Sequence, residues 1–409
     1  MRILLATDVF PPSSGGSGWS TFYLARALVQ RGHQVQVVQP KLGGHGIQSR
    51  EYDGVAVIEV GYSASNLPGV RAWQRTRALE STLVAYLAGQ GRTFDVIHAQ
   101  HLLTIPAAVL AKKISGVPVV STVRDYWHVC LYGTLWRENT ICPSCHGATL
   151  TRCLAQHYGS ASRFMLPLVS MVEHELERRQ RALQESDVVI AVSHYVAETL
   201  ANLVVRHKVF IVPNLIDVQE TEKMAESAHL PIRNQAETYK PYLLFVGKLN
   251  TLKGADLLPE ILRRSRVQLP LVVAGDGELR QKLTDFQSIL VRGWLPNAET
   301  LGLLAGAQAL LFPSRWAEPL ARTLLEAQAL GVPTVALNTG GTRDIIENDF
   351  NGLLAADLHE FASQLRRLVG NAELRHRLSE NARRVAQEKF SADVVVPQLE
   401  TIYESARSS

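Results

Sequence analysis

The sequence predicts an α/β protein made of two doubly wound parallel sheets. Three observations carry that prediction. Short apolar runs of strand length alternate with helical patterns from one end of the chain to the other. Glycines gather at strand-to-helix turns, the edge where open parallel sheets bind ligands. The plan stops near Pro213 and then restarts, and 409 residues are too many for one ordinary core. The expected division is a first domain over 1–212, a second over 213–390 and a final helix over 391–409.

The first domain opens with an apolar strand, Arg2 to Thr7, followed by the loop DVFPPSSGGSGWS and a helical pattern. Phe22, Ala25, Leu28 and Val29 share one face of that helix, and Gly32 stops it. Gly15, Gly16 and Gly18 allow backbone amides to approach a phosphate or sugar closely. This is not the dinucleotide fingerprint, because G-x-G-x-x-G is absent. The second strand, QVQVVQP, also ends in Gln39 and Pro40 where a ribose would want an acid. A nicotinamide dehydrogenase is therefore disfavoured.

Strand GVAVIEV, helix RAWQRTRALESTLVAYLAGQ and strand FDVIHAQH continue the pattern. His98 and His101 stand at the carboxyl end of that last strand and are candidates for acid–base work, although a lone His there is commonly structural. The next strand, VPVVSTV, delivers Arg124, Asp125 and Tyr126 to the same edge. Asp125 and Tyr126 read equally as partners for acceptor hydroxyls or as a cap and a packed ring. All four cysteines, Cys130, Cys142, Cys145 and Cys153, fall in one insertion near 130–153. The CPSC unit has zinc-ligand spacing, while the irregular remainder leaves structural zinc, free thiols and a reversible disulfide open.

The stretch Ser162 to Gln184 has an apolar first half and a charged second half. It reads as a core-facing helix, with peripheral contact at the inner face of a membrane as the other reading. After VFIVPNLIDV, a polar loop is expected from Gln219 to Lys240.

The second domain starts with the buried strand PYLLFVG. Its following loop carries Gly247, Lys248 and Lys253 into a helix. LPLVVAGDGE adds a strand and the loop Gly275, Asp276, Gly277; LVRGWLP adds another strand ending near Trp294. Two lysines in a loop are usually surface. Here they flank a strand-to-helix turn and face the same sheet edge as Glu318, where they would neutralise a diphosphate. Gly340 and Gly341 supply a further loop of close backbone approach.

The pattern centres on EPLARTLLE, Glu318 to Glu326, between strand ALLFPSRW and a helix closed by Gly331. Pro319 suits the first helical position, leaving the amides of Leu320, Ala321 and Arg322 to face an anion. In a regular helix Glu326 lies about 12 Å beyond Glu318. That reach suits a sugar at one end, a diphosphate in the middle and a ribose beyond. The same residues taken alone also describe an ordinary amphipathic helix with two solvated carboxylates.

The ordered set FVGKLNTLKG, VVAGDGE, RGWLP, EPLARTLLEA and NTGGTRDII resembles the retaining glycosyltransferases of family four. The resemblance spans nearly the whole chain and is strongest from Tyr242 to Leu354. It implies the GT-B fold, two Rossmann-like domains facing across a cleft, and transfer of a hexose from a nucleotide-diphosphate sugar. UDP is expected ahead of GDP, and an α-linkage to a hydroxyl of a carbohydrate, glycolipid or small polyol. By that resemblance Glu318 contacts the donor sugar, Glu326 holds the ribose, and Lys248 and Lys253 bind the diphosphate. Gly275 to Gly277 and the segment around Trp294 line the nucleoside. Gly16 approaches the phosphates, and the final helix crosses back to the first domain.

Several positions depart from the family pattern. Lys248 replaces the usual Arg, Gln100 takes the second His position of H-x-H, Arg124 stands where His is common, and Arg343-Asp344 replaces Pro-Glu. The catalytic His therefore stays open between His98 and His101.

With no D-x-D in the chain, no divalent metal or other cofactor is expected to be required for catalysis. Dispersed Lys and Arg and a net charge of +4 argue against nucleic acid. Too few apolar residues precede Asp8 for a signal peptide, and no run would span a bilayer, so the expected location is the cytoplasm. A sugar-nucleotide epimerase and a non-catalytic nucleotide-binding partner of another transferase are the competing readings.

Overall fold

The structure is a computed structural model that describes residues 1–12, 14–64, 71–90, 93–101, 103–137, 140–142, 144–159, 169–228 and 241–408. They form two compact units, Met1–Leu215 with Val395–Ser409, and Ile216–Val394. The expected boundary at 213 lies two residues before the end of the first segment, Leu215.

The first unit holds β1 (Arg2–Ala6), β2 (Gln34–Leu42), β3 (Ile47–Tyr52), β4 (Val55–Tyr62), β5 (Val96–Ala99) and β6 (Val119–Val123). A small hairpin, β7 (Trp136–Arg137) and β8 (Thr140–Ile141), precedes β9 (Val188–Ala191) and β10 (Val209–Ile211). The main sheet runs β10-β9-β6-β5-β1-β2-β4-β3. Every pairing is parallel except β3 with β4. Because the order reverses between β1 and β5, the loops that leave these two strands diverge and open a crevice at their carboxyl ends. Strands β1, β5, β6 and β9 are buried almost throughout, which is why they are rich in Val, Ile, Leu and Ala.

Two stretches differ from the sequence expectations, and a third keeps its core-facing helix. β3 was not anticipated, since IQSREY carries one apolar aliphatic residue and pairs along a sheet edge. Within the expected polar loop, Val218–Glu226 is a helix, capped by Asp217, whose side chain accepts the amide of Glu220; 229–240 lie outside the described residues. Of the stretch Ser162 to Gln184, residues from 169 are described. They belong to the helix Val169–Glu185, which buries Leu176, Ala182 and Leu183 and packs against the helix Ile105–Ser115.

The helix Ala392–Ser408 buries Val395, Val396, Leu399, Ile402, Tyr403 and Ala406 at the three-and-four spacing of one helical face. In the first unit it is fastened by Glu400, which pairs with Arg31 at 2.8 Å.

The second unit holds β11 (Leu243–Val246), β12 (Leu271–Ala274), β13 (Ile289–Gly293), β14 (Ala309–Phe312), β15 (Thr334–Leu337) and β16 (Leu353–Ala355). They are ordered β13-β12-β11-β14-β15-β16, all parallel. Leu243, Phe245, Leu271, Val273, Leu311 and Val335 join Ile261, Phe361 and Leu365 of the flanking helices in one apolar core. The order reverses between β11 and β14. The loops after β11, with Lys248 and Lys253, and after β14, with Glu318, are therefore brought together by the topology itself.

Candidate functional site

In the second unit the loops after β11 and β14 are laced together by backbone. The amides of Arg315 and Trp316 donate to Leu252 O at 3.0 and 3.1 Å. Gly254 lies so close to the next loop that a Cβ there would stand 1.9 Å from Pro313 O. Its φ of +70° is one that a side chain disfavours. This lacing carries Lys253 to Glu318, with Nζ 2.6 Å from Oε1. Ser314 Oγ donates to the same oxygen at 2.8 Å. Glu318 is buried, and among the described residues its Oε2 has no hydrogen-bond partner, so one carboxylate oxygen is fixed and the other is left for a ligand hydroxyl. Lys248 is exposed, and among the described residues no ion pair engages its ammonium.

The helix begins later than the sequence implies. It runs Arg322–Ala329 with Ala321 as its N-cap, so Pro319 lies three residues before the first helical position. The physical reason is the grip on Glu318. Its side chain is held by Lys253 and Ser314, and its carbonyl accepts the amide of Gly341 at 2.6 Å, so Glu318 to Ala321 form an irregular turn. Of the expected anion-facing amides, those of Leu320 and Ala321 lie before the helix, and that of Arg322 opens it. The regular-helix spacing between Glu318 and Glu326 no longer applies. Glu326 is buried, and Arg322 Nε donates to its Oε1 at 3.2 Å. Burial raises the Glu326 pKa from the usual carboxylate range, against the pull of the Arg322 guanidinium.

Gly275 and Gly277 meet backbone. A Cβ on Gly275 would lie 1.8 Å from Gly247 O, and one on Gly277 would lie 2.6 Å from Leu249 O. Gly247, Gly275 and Gly277 have φ of +155°, +152° and +156°. They let the loops after β11 and β12 pack on one another. Asp276 accepts the amide of Gly277 and pairs with Arg280 at 2.8 Å. Trp294, after β13, exposes 75% of its surface, the largest value among the exposed apolar side chains described.

In the first unit His98 and His101 have different surroundings. His98 is buried with Nδ1 2.7 Å from the Tyr403 hydroxyl and Nε2 2.7 Å from Thr122 Oγ1. Burial, with Arg124 nearby, holds its pKa well below the usual imidazole value, and no ring nitrogen is left for a reacting group. His101 lies between two carboxylates, Nδ1 3.3 Å from Asp8 Oδ2 and Nε2 3.0 Å from Asp125 Oδ2. Burial alone would lower its pKa, but Asp8 and Asp125 outweigh it and raise it to about 9. His101 is thus an imidazolium at neutral pH.

Gly15 is the N-cap and Gly16 the first residue of the helix Gly16–Gln30, next to the crevice at the ends of β1 and β5. Arg124 is taken up inside the unit by Asn214 Oδ1 at 2.8 Å and Gln100 O at 2.9 Å. Asp125 Oδ1 accepts the amide of Trp127, Tyr126 is fully buried, and Tyr195 meets its ring edge-on. The contacts of Arg124, Asp125 and Tyr126 are internal ones. Sequence reasoning missed Asp8, Ser314 and Trp316. Asp8 stands directly past the first strand, and Ser314 is four residues before Glu318, so their strand-end positions are the signal that would have found them.

The four cysteines are free thiols. Among the described residues no group of three or more His, Cys, Asp or Glu is placed to hold a metal ion. Two of the thiols meet backbone. Cys142 Sγ donates to Ser144 O at 3.2 Å, and Cys145 Sγ accepts the amide of Leu131 at 3.4 Å. Burial pushes the Cys145 thiol up to about 11.

Comparison with known proteins shows the family and the fold. Residues 14–220 match the family model described as Glycosyltransferase Family 4, and residues 229–385 match that described as Glycosyl transferases group 1. The chain is 26% identical to a glycogen synthase of Mycobacterium tuberculosis over 435 aligned residues, covering 100% of this chain and 95% of that protein. It is 25% identical to a D-inositol 3-phosphate glycosyltransferase of Jonesia denitrificans, covering 97% and 93%. Among solved structures, Anabaena Alr3699/HepE in complex with UDP superposes with a TM-score of 0.69 at 17% identity, covering 99% of this chain and 100% of that one. The fold is GT-B.

Proposed function

The chain belongs to glycosyltransferase family 4, and from that premise we propose that it moves a hexose from a nucleotide-diphosphate sugar to an acceptor hydroxyl, with retention. The observation that carries this reading is the second unit's switch point. Among the described residues it presents a buried carboxylate with one oxygen free of hydrogen bonds, an ammonium against the other oxygen and, earlier in the same loop, a second ammonium without an ion pair. That set matches a donor with hydroxyls at one end and a diphosphate beside them.

In this reading Glu318 Oε2 accepts a donor-sugar hydroxyl, while Lys253, Lys248 and the amides around Arg322 stabilise the diphosphate as it departs. The acceptor oxygen bonds to the anomeric carbon on the face from which the phosphate oxygen leaves. The hydroxyl proton passes to that phosphate oxygen, so charge and atoms balance without a protein base. The protein then contributes positioning and charge stabilisation. No cofactor enters these steps. UDP is favoured over GDP because Anabaena HepE was solved with UDP and with UDP-glucose.

Acceptor recognition is assigned to the first unit. Asp8 Oδ1 and both carboxamide atoms of Gln100 are buried without hydrogen-bond partners among the described residues. Such atoms are costly unless a ligand group completes them. Asp8 and Asp125 flank the His101 ring at 3.3 and 3.0 Å, and against the cost of burial His101 holds the Asp125 carboxyl below its usual range. A carbohydrate, glycolipid or small polyol would supply the missing hydroxyls. No helix among the described residues is long and apolar enough to cross a membrane. The reading places the protein with the cytoplasmic nucleotide-sugar pool, in polysaccharide, glycolipid or glycoconjugate synthesis.

The test is thermal shift with UDP, GDP, ADP and TDP, followed by hydrolysis of the corresponding UDP-hexoses and NMR assignment of the released anomer. A ligand at a hundredfold excess over its Kd adds about 2.7 kcal/mol of stability, which a shift assay resolves. Selective stabilisation by UDP with slow release of α-hexose is expected. No stabilisation by any nucleotide would overturn the reading.

A further inference from the structure

We infer that Trp316 is a positioning residue for the donor diphosphate, acting through Lys253. The inference rests on the nucleotide-sugar reading above. Lys253 Nζ lies 4.6 Å from the centroid of the Trp316 ring while it stands 2.6 Å from Glu318 Oε1. The two partners act on the ammonium in different ways. Glu318 neutralises it and competes with any incoming anion. The ring attracts it through a quadrupole that carries no net charge, so a cation held over the ring keeps its full charge for phosphate.

Both groups are fixed from behind. The Lys253 amide donates to Asn250 Oδ1 at 3.0 Å, and Gly254 next to it packs on Pro313 O. The Trp316 amide donates to Leu252 O at 3.1 Å, and Arg315 pairs with Asp256 at 2.9 Å. Only the four-carbon stem of Lys253 is left to move. A free lysine stem loses rotamer freedom when phosphate captures it. The ring face removes part of that cost in advance by confining the ammonium beside the site.

The consequence is a charge-graded effect. Removing the ring weakens a nucleoside diphosphate most, a monophosphate less and the uncharged nucleoside not at all. A merely structural tryptophan would affect all three alike.

The experiment uses the full chain and measures Kd for UDP, UMP and uridine, with donor kinetics alongside. Trp316→Leu is expected to weaken UDP about tenfold, to raise the donor KM more than it lowers kcat and to leave uridine unchanged. Trp316→Phe, with a smaller π face, should recover most of the loss. In a Lys253→Met background, Trp316→Leu should weaken UDP by less than about twofold, because the ring then has no cation to hold. UDP affinity unchanged in Trp316→Leu, an equal loss for uridine, or full additivity with Lys253→Met would each overturn the inference while leaving the transferase reading intact. A wild-type chain that binds no nucleoside diphosphate would overturn that reading and this inference together. Where Trp316→Leu fails to fold, Trp316→Phe alone decides, with a loss of about threefold expected for UDP at unchanged Tm and no loss overturning it.

Discussion

The hydroxyl of Tyr403 meets Nδ1 of His98 at 2.7 Å, joining the last helix to β5 across 305 residues of sequence. Both groups are buried, and Thr122 occupies the other ring nitrogen. Tyr403→Phe is expected to leave an unsatisfied imidazole nitrogen and to cost about 1–2 kcal/mol in chemical denaturation. Turnover per folded molecule should stay near wild type. A hundredfold kcat loss in folded Tyr403→Phe would return His98 to the catalytic set.

Glu318 is the opposite case, a buried group whose loss should be read in turnover. Glu318→Gln keeps the shape and removes the charge that fixes Lys253. We expect kcat to fall about a hundredfold or more, with Tm within a few degrees of wild type because Lys253 retains solvent contact. Steady-state kinetics with thermal melting checks this, and unchanged kcat would remove Glu318 from the donor site.

His101 makes the first unit sensitive to alkali. Its folded pKa of about 9 stands above the ordinary imidazole value near 6.5. A raised pKa contributes stability that is complete below about pH 6.5 and is lost as the pH rises through about 9. The loss should be about 3 kcal/mol, or several degrees of Tm. His128 acts at the other end. Burial lowers its pKa to about 4 despite the pull of Asp125, so its contribution is present above pH 6.5 and is lost as the pH falls towards 4. Melting curves across pH 4 to 10 should show both slopes, and His101→Asn should flatten the alkaline one alone.

Gly275→Ala should disable the second unit. Its Cβ would fall on Gly247 O, and its φ of +152° disfavours any side chain. A cost on the order of 3 kcal/mol is expected, with loss of nucleotide binding following from the displaced loop. Gly15→Ala is the control, because nothing lies within 4 Å of the added carbon. Equal melting temperatures for the two variants would refute the packing account of Gly275.

Much of this was legible in the chain. Continuous apolar strands, glycines at strand ends and the Glu318 to Glu326 spacing depend on local composition, and local composition is what a sequence displays. Pro319 shows where that legibility stops. Its fixed φ suits a helix start, yet the helix opens at Arg322 because Ser314, Lys253 and Gly341 hold Glu318 in a turn. No local propensity encodes contacts from residues 65 positions away.

The sequence by itself determined the α/β class, the family and the cations and carboxylates brought to the second unit's sheet edge. Periodicity and spacing are properties of neighbouring residues, and they survive without coordinates. Only the tertiary structure decided which groups remain available. It tied up His98 between Tyr403 and Thr122 and charged His101 between Asp8 and Asp125. It also directed Cys142 and Cys145 to backbone partners and set Lys253 over Trp316. The reason is that a side chain's protonation and freedom are set by whatever surrounds it in space, and those neighbours arrive from distant parts of the chain.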